Sequence, residues 1–312
     1  MRQQDFQQRA EALASAFAGE RVREIRRFPT GAQHFVFEAI FARRAPFVVR
    51  LSRPADRQLA AGALRLSAKL RTLGLPLPEI FASGVDAPVP YLIMERLPGV
   101  DLGEVVTELK PQALRSIARS VADAQAAVAQ MARAGRFGFA VEASEAPFRT
   151  WTEFVRAHVH RSSQRVHAAG LFSPGHATRL EAQIDRRRSL LDRIAAIPFL
   201  HDTTMRNVIV ANGRLSGIVD VDDLGFGDPR YVVALTHAAL IAMQAPADYV
   251  TAWMDEAGWR ADDIFALYTA AYLLDLMSEH GLPANGNERP STTAARAHLE
   301  AEFALRLEQL ER

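Results

Sequence analysis

No cysteine occurs among the 312 residues, so disulfides and thiolate metal sites are excluded. Lysine is almost absent as well. Lys69 and Lys110 are the only two, and arginine carries nearly all of the positive charge. Neither sign of charge dominates: 37 Lys and Arg stand against 36 Asp and Glu, for a net charge of +1. That balance removes the bulk electrostatic case for nucleic acid or an anionic membrane surface as partner. No apolar run approaches the length of a membrane span. The opening residues, MRQQDFQQRAEALASAF, are polar and periodic rather than a basic start followed by an apolar core. These absences predict a cytoplasmic protein with no obligate protein partner. Internal repeats and low-complexity tracts are lacking too. What is present is 49% hydrophobic residues, enough for a full core, in a length that suits one large or two ordinary domains.

The most informative stretch is residues 199–229, FLHDTTMRNVIVANGRLSGIVDVDDLGFGDP. Val208-Ile209-Val210 and Ile218-Val219 are β-branched runs, and Asn212-Gly213 between them is a strong hairpin signal. Asp202 and Asn207 precede the first strand and Asp220 follows the second, so folding the hairpin gathers all three at one rim. Oxygen-only ligands suit a hard cation such as Mg²⁺, which is held by one or two protein groups together with substrate phosphates. A separate carboxylate beside that cation can take the proton of an attacking hydroxyl. These are the parts that phosphoryl transfer requires.

An Asp followed five residues later by Asn, then a hairpin and a second Asp, is the order of the kinase catalytic loop and metal site. With Gly227-Asp228-Pro229-Arg230-Tyr231 behind it, the stretch resembles the aminoglycoside phosphotransferase/choline kinase family of small-molecule kinases. The resemblance implies an α+β, protein-kinase-like two-lobe fold with an antiparallel β-sheet N-lobe and a mainly helical C-lobe. It implies Asp202 as catalytic base, and Asn207 and Asp220 as Mg²⁺ ligands. ATP is the expected phosphoryl donor, with GTP as the other option, and the expected partner is a small-molecule hydroxyl acceptor such as an aminoglycoside, an amino alcohol or a sugar.

The rest of the chain fits that plan in order. Residues 4–18 read as an amphipathic helix. Strands are predicted over Val22–Ile25, His34–Ile40 and Pro46–Leu51, a helix over 55–73, and two further strands near 79–83 and 90–96. In this five-stranded lobe the turn at Gly31 can close backbone N–H groups over phosphates. Arg50 stands where kinases carry the strand lysine, and a guanidinium can grip phosphate in a bidentate way. The run Tyr91–Gly99 resembles the family's hinge, with Glu95 and Leu97 as main-chain contacts to the adenine edge. The lobes are expected to be 1–99 and 100–312. Helices are predicted over 111–133, 151–167, 175–195, 229–243, 246–257, 260–280 and 291–311. His158 and His160 lie two apart and share no helix face, so both are expected as partly exposed surface side chains rather than a metal pair.

Three departures from the family pattern stand out. Helix 55–73 contains no Glu to pair with Arg50, and Ala63 stands near the expected place. The usual His-Gly-Asp is Leu200-His201-Asp202, which makes His201 a residue of interest beside the phosphates or as a support of the loop. Asp222 and Asp223 add carboxylates next to Asp220, one of which can reach metal or substrate. The departures keep a second reading open, a nucleotide-binding pseudokinase acting as a regulatory or binding module.

Overall fold

The computed structural model describes residues 3–28, 34–280, 282–284, 287–288 and 291–312. Gly31, expected in the phosphate-covering turn, lies outside the described residues, as does much of the loop after residue 280.

The first layer is a five-stranded antiparallel sheet built from β1 (Glu24–Arg27), β2 (Phe35–Ile40), β3 (Phe47–Leu51), β4 (Ile80–Gly84) and β5 (Tyr91–Glu95), in the order β1-β2-β3-β5-β4. β3 sits in the middle and every one of its residues is buried. Along β2, Phe35, Phe37 and Ala39 alternate inward, the period of a strand with one covered face. Helix α1 (Gln3–Ala18) supplies Phe6, Ala10 and Ala14 at four-residue spacing to that face, and the Phe6 ring stacks on Phe35 at 3.8 Å.

Helix α2 (Arg57–Thr72) packs the other way. Its Leu66 and Leu70 join Leu75 and Leu77 in a second core with Leu200, Ile218, Leu224 and Phe226 of the 199–229 stretch. The chain then passes through β6 (Val100–Asp101) and the single turn α3 (Leu102–Val105) into a largely helical part. That part holds α4 (Pro111–Val128), α5 (Trp151–Ala169), α6 (Gly175–Arg186), α7 (Arg188–Leu191), α8 (Arg230–Ala242), α9 (Asp248–Glu256), α10 (Asp263–Ser278) and α11 (Thr293–Glu311). Two small sheets run among the helices. One is β10-β9-β6, from β9 (Val208–Ala211) and β10 (Arg214–Ile218). The other is β7-β11-β8, from β7 (Gly138–Ala140), β8 (Ile197–Phe199) and β11 (Leu224–Gly227). This is the expected α+β, kinase-like two-lobe architecture. Among the described residues no helix is long and apolar enough to cross a membrane.

The predicted hairpin is β9–β10. Asn212 and Gly213 both take left-handed backbone, at φ 52° and 71°, as a tight hairpin turn demands. Two segments from the N-terminal side fasten onto it. The Ile218 N–H donates to the Pro76 carbonyl at 2.8 Å, and Val100 and Asp101 pair with Val210 and Ile209. Gly99, at φ 101°, passes so close to β9 that a Cβ would lie 2.0 Å from the Val210 carbonyl oxygen, so only glycine fits there.

Two expectations need correction. The helix predicted over 175–195 breaks at Arg187, whose φ and ψ of −103° and 10° end α6 and whose guanidinium reaches Asp263 and the Leu310 carbonyl. His158 is buried rather than partly exposed, at 4% relative exposure. It lies on the inward stripe of α5 with Phe154, Val155, Ser162 and Val166, three or four residues apart. There its Nδ1 meets the Tyr231 hydroxyl and its Nε2 lies 3.3 Å from Asp275.

Candidate active site

Three main-chain and side-chain bonds assemble the rim. The Val219 N–H donates to the Asn207 carbonyl at 2.9 Å, which carries Asp220 to the mouth of the first strand. Asn207 Nδ2 donates to the Asp202 carbonyl at 2.9 Å, which leaves the amide oxygen as its ligating atom. The Asn207 N–H itself closes a turn on Thr204 at 3.0 Å. A small pocket opens here, lined by His201, Asp202, Asp220 and Asp223 among others. Asp220 takes left-handed backbone at φ 60°.

Gln125 holds the loop from below, and sequence reasoning missed it. From α4 its Oε1 accepts the Leu200 N–H, while its Nε2 donates to the Leu200 carbonyl and to Thr203 Oγ1, each at 2.9 Å. The signal was there: Gln125 is the polar member of an otherwise apolar buried stripe with Val121, Ala122, Ala124 and Val128. A buried amide in such a stripe must find partners, and the loop supplies them. His201 braces the other side. Its ring stacks on Phe139 with centroids 4.0 Å apart, and its Nε2 bonds Asp223. The carboxylate of Asp223 is therefore engaged by the loop.

Burial pushes the Asp202 carboxyl up to about 6, with Asp220 adding to the rise and His201 opposing it. Burial also disfavours the His201 imidazolium. Its bond to Asp223 and the charges of Asp223, Asp202 and Asp222 together outweigh that, so the group ends above its ordinary value.

On the sheet side, Arg50 of β3 is buried and points its guanidinium across to the same rim. Nη1 is 3.3 Å from Asp220 Oδ1, and Nη2 bonds Asp222 Oδ1. The second oxygen of Asp222 lies 2.7 Å from His34 Nε2, and His34 Nδ1 is 3.0 Å from Ser52 Oγ. Burial alone would raise the Asp222 carboxyl. Arg50 and His34 outweigh it and hold Asp222 well below the carboxylate range. The Arg50 Nε–H has no partner among the described residues, a buried donor open to an anion. Ala63 in α2 is buried and offers no carboxylate.

Glu95 closes β5, where its N–H donates to the Glu79 carbonyl at 2.8 Å, so any main-chain contact it makes to a ligand is through its carbonyl. The Leu97 carbonyl accepts from Arg96, which leaves its N–H. An acceptor and a donor two residues apart match the pair of groups on an adenine edge.

Ligand atoms of His34, Asp220 and Asp222 lie within 4.8 Å of one another. Imidazole suits zinc or iron better than Mg²⁺, which takes oxygen. The donors that fit Mg²⁺ are the Asp220 carboxylate, 41% exposed, and the Asn207 amide oxygen.

Comparison with known proteins bears on the family and the fold. A family model described as the phosphotransferase enzyme family matches residues 24–273. Viomycin phosphotransferase of Streptomyces vinaceus is 31% identical over 169 residues, 53% of this chain and 55% of that protein, so the match spans about half the length of each. Among solved structures, the apo form of a thermostable mutant of aminoglycoside phosphotransferase APH(4)-Ia superposes with a TM-score of 0.66 at 18% identity, over 96% of this chain and 98% of that one. ADP-bound aminoglycoside phosphotransferase APH(2'')-Ib gives 0.64 at 14% identity, over 96% and 99%. At those identities the structural likeness speaks for the fold, whereas the family model covers most of the sequence itself. By that match the chain belongs to the phosphotransferase enzyme family.

Proposed function

We propose that this chain transfers the γ-phosphoryl group of ATP to a hydroxyl of a small molecule, between an N-lobe of residues 1–99 and a C-lobe of residues 100–312. The observation that carries the reading is the convergence of Asp202, Asn207 and Asp220 on one rim, facing a buried Arg50 that still has a donor to give. Asp202 orients the acceptor hydroxyl and takes its proton, a task that suits a carboxyl poised near 6. Arg50 grips phosphate oxygens. Asn207 and Asp220 would hold Mg²⁺, which when bound neutralises phosphate charge. The Glu95 carbonyl and the Leu97 N–H receive the adenine edge. His201 and Asp223 keep Asp202 in place. Little covalent chemistry is asked of the protein, and its contribution is positioning and charge.

The acceptor class rests on the relatives. One is named for viomycin, and solved ones include complexes with hygromycin B and with kanamycin. A hydroxylated, antibiotic-like molecule is therefore the first class to test. Among the described residues, four acidic side chains of the helical part already have basic partners. Glu256 pairs with Arg119, Asp262 with Arg230, Asp263 with Arg187, and Asp275 with His158.

The test is a transfer assay with Mg²⁺ and either ATP or GTP. The acceptor panel contains viomycin, hygromycin B, kanamycin, an amino alcohol and a sugar, and products are read by mass spectrometry. Asp202→Asn serves as control. A phosphorylated product that the variant fails to make supports the reading. Tight Mg-dependent nucleotide binding with no product from any hydroxylated acceptor would favour a nucleotide-binding module instead.

A further inference from the structure

We propose that Asp222 is the positioning residue for Arg50, supplying from the catalytic region the counter-charge that helix α2 lacks. The inference rests on the phosphotransferase reading and extends it to a residue to which that reading gave no role. Arg50 is buried on the central strand of the sheet, and a buried guanidinium needs an anion. Helix α2 brings none, because it contains neither Asp nor Glu. The anion comes instead from the segment between β10 and β11, 172 residues along the chain, through the bond from Arg50 Nη2 to Asp222 Oδ1.

The two carboxylates near Arg50 are not equivalent. Asp222 has both oxygens engaged, one by Arg50 and one by His34, and its side chain is 12% exposed. Asp220 touches Arg50 through one oxygen at 3.3 Å and is 41% exposed. The first arrangement fits a counter-ion and the second a group that remains available to a metal. His34 belongs to the counter-ion. Its Nε2 lies 2.7 Å from Asp222 and 2.5 Å from Arg50, and only the carboxylate can accept its proton, since a guanidinium has no acceptor. In that tautomer Nδ1 accepts from the Ser52 hydroxyl, so the ring is fixed from both ends. Asp222, itself fixed by His34, thus holds the Nη2 end of Arg50 and leaves Nε–H for phosphate.

A double-mutant cycle read by calorimetric titration of Mg-ATP decides the matter, with Asp222→Asn, Arg50→Met and their combination in the full chain. Asp222→Asn should weaken Mg-ATP binding roughly tenfold to a hundredfold, in line with loss of a charge-assisted bond. Arg50→Met should do the same, and the double variant should bind no worse than Arg50→Met. His34→Ala gives a milder version that keeps the ion pair, and His34→Gln, which retains a donor, should recover most of the loss. Both effects should vanish in the Arg50→Met background. Multiplied losses in the double variant would mean that Asp222 acts on the metal by itself, and wild-type affinity in Asp222→Asn would mean that it does not act at all. Either outcome overturns this inference while leaving the phosphotransferase reading intact. A wild-type chain that binds no Mg-ATP overturns both.

Discussion

Asp202 and Asp222 lie on one rim, both largely withdrawn from water, and burial drives both carboxyls upward. They end on opposite sides of the ordinary value. Asp202 sits at about 6, whereas Asp222 falls well below the carboxylate range. The difference is the partner. The cation that opposes the rise at Asp202 is His201, and its ring bonds Asp223 instead. Asp222 has a guanidinium on one oxygen and an imidazole on the other. Burial sets the size of the electrostatic penalty, and the bonded partner decides its sign. One side of the rim is kept ready to change protonation state, and the other is kept from changing it.

The largest test of that contrast is chemical. Asp202→Asn should lower turnover by a factor on the order of 10²–10⁴ with Mg-ATP binding preserved, measured by initial rates and titration calorimetry. Equal turnover in the variant would remove Asp202 from the reaction. On the opposite side, Asp222→Ala strips a buried cation of its main anion. It should cost about 3 kcal/mol of folding stability in urea denaturation, the low end of the range for a broken buried pair because Asp220 stays nearby.

The third test turns on pH. Asp202 binds its proton more tightly folded than unfolded, about 6 against 3.8, so its contribution to stability is complete below about pH 4 and is lost as pH rises through 6. Asp202→Asn removes that loss. The variant should therefore be more stable than wild type at neutral pH, by on the order of 3 kcal/mol, and no more stable at about pH 3. A variant destabilised equally at both pH values would contradict the raised pKa. The smallest effect belongs to His201, whose folded value is raised above 6.5. Its bond with Asp223 stabilises fully below about 6.5 and fades as pH climbs through the folded value. His201→Asn should cost about 1 kcal/mol at pH 6 and less at pH 9. A cost that does not vary with pH would assign it to lost stacking on Phe139.

Much of this fold was legible from local pattern. Asn212-Gly213 announced a turn whose left-handed backbone the structure has, and the apolar runs of the N-terminal part mark the five strands, although the sheet places β5 between β3 and β4. Local pattern also led to Asp202, Asn207 and Asp220, because one hairpin joins them. It stopped at contacts between distant segments. Nothing near residue 222 in sequence points to Arg50 or His34, which lie 172 and 188 positions away. His158 was misjudged because its distance from His160 was weighed, whereas its spacing from Phe154 and Ser162 marks the buried stripe. Gln125 was passed over because a lone amide in a helix has no chemistry until its partner loop is in view.

Asp220 takes a backbone shape that most side chains resist, at φ 60°. Glycine would adopt it with less strain, so Asp220→Gly would relieve the backbone while giving up the carboxylate that lies 3.3 Å from Arg50 and that the proposed function assigns to the metal. On the proposed function, backbone ease and phosphate transfer therefore pull this position in different directions. In any lineage descended from this chain, the residue found here becomes a record of which of the two prevailed.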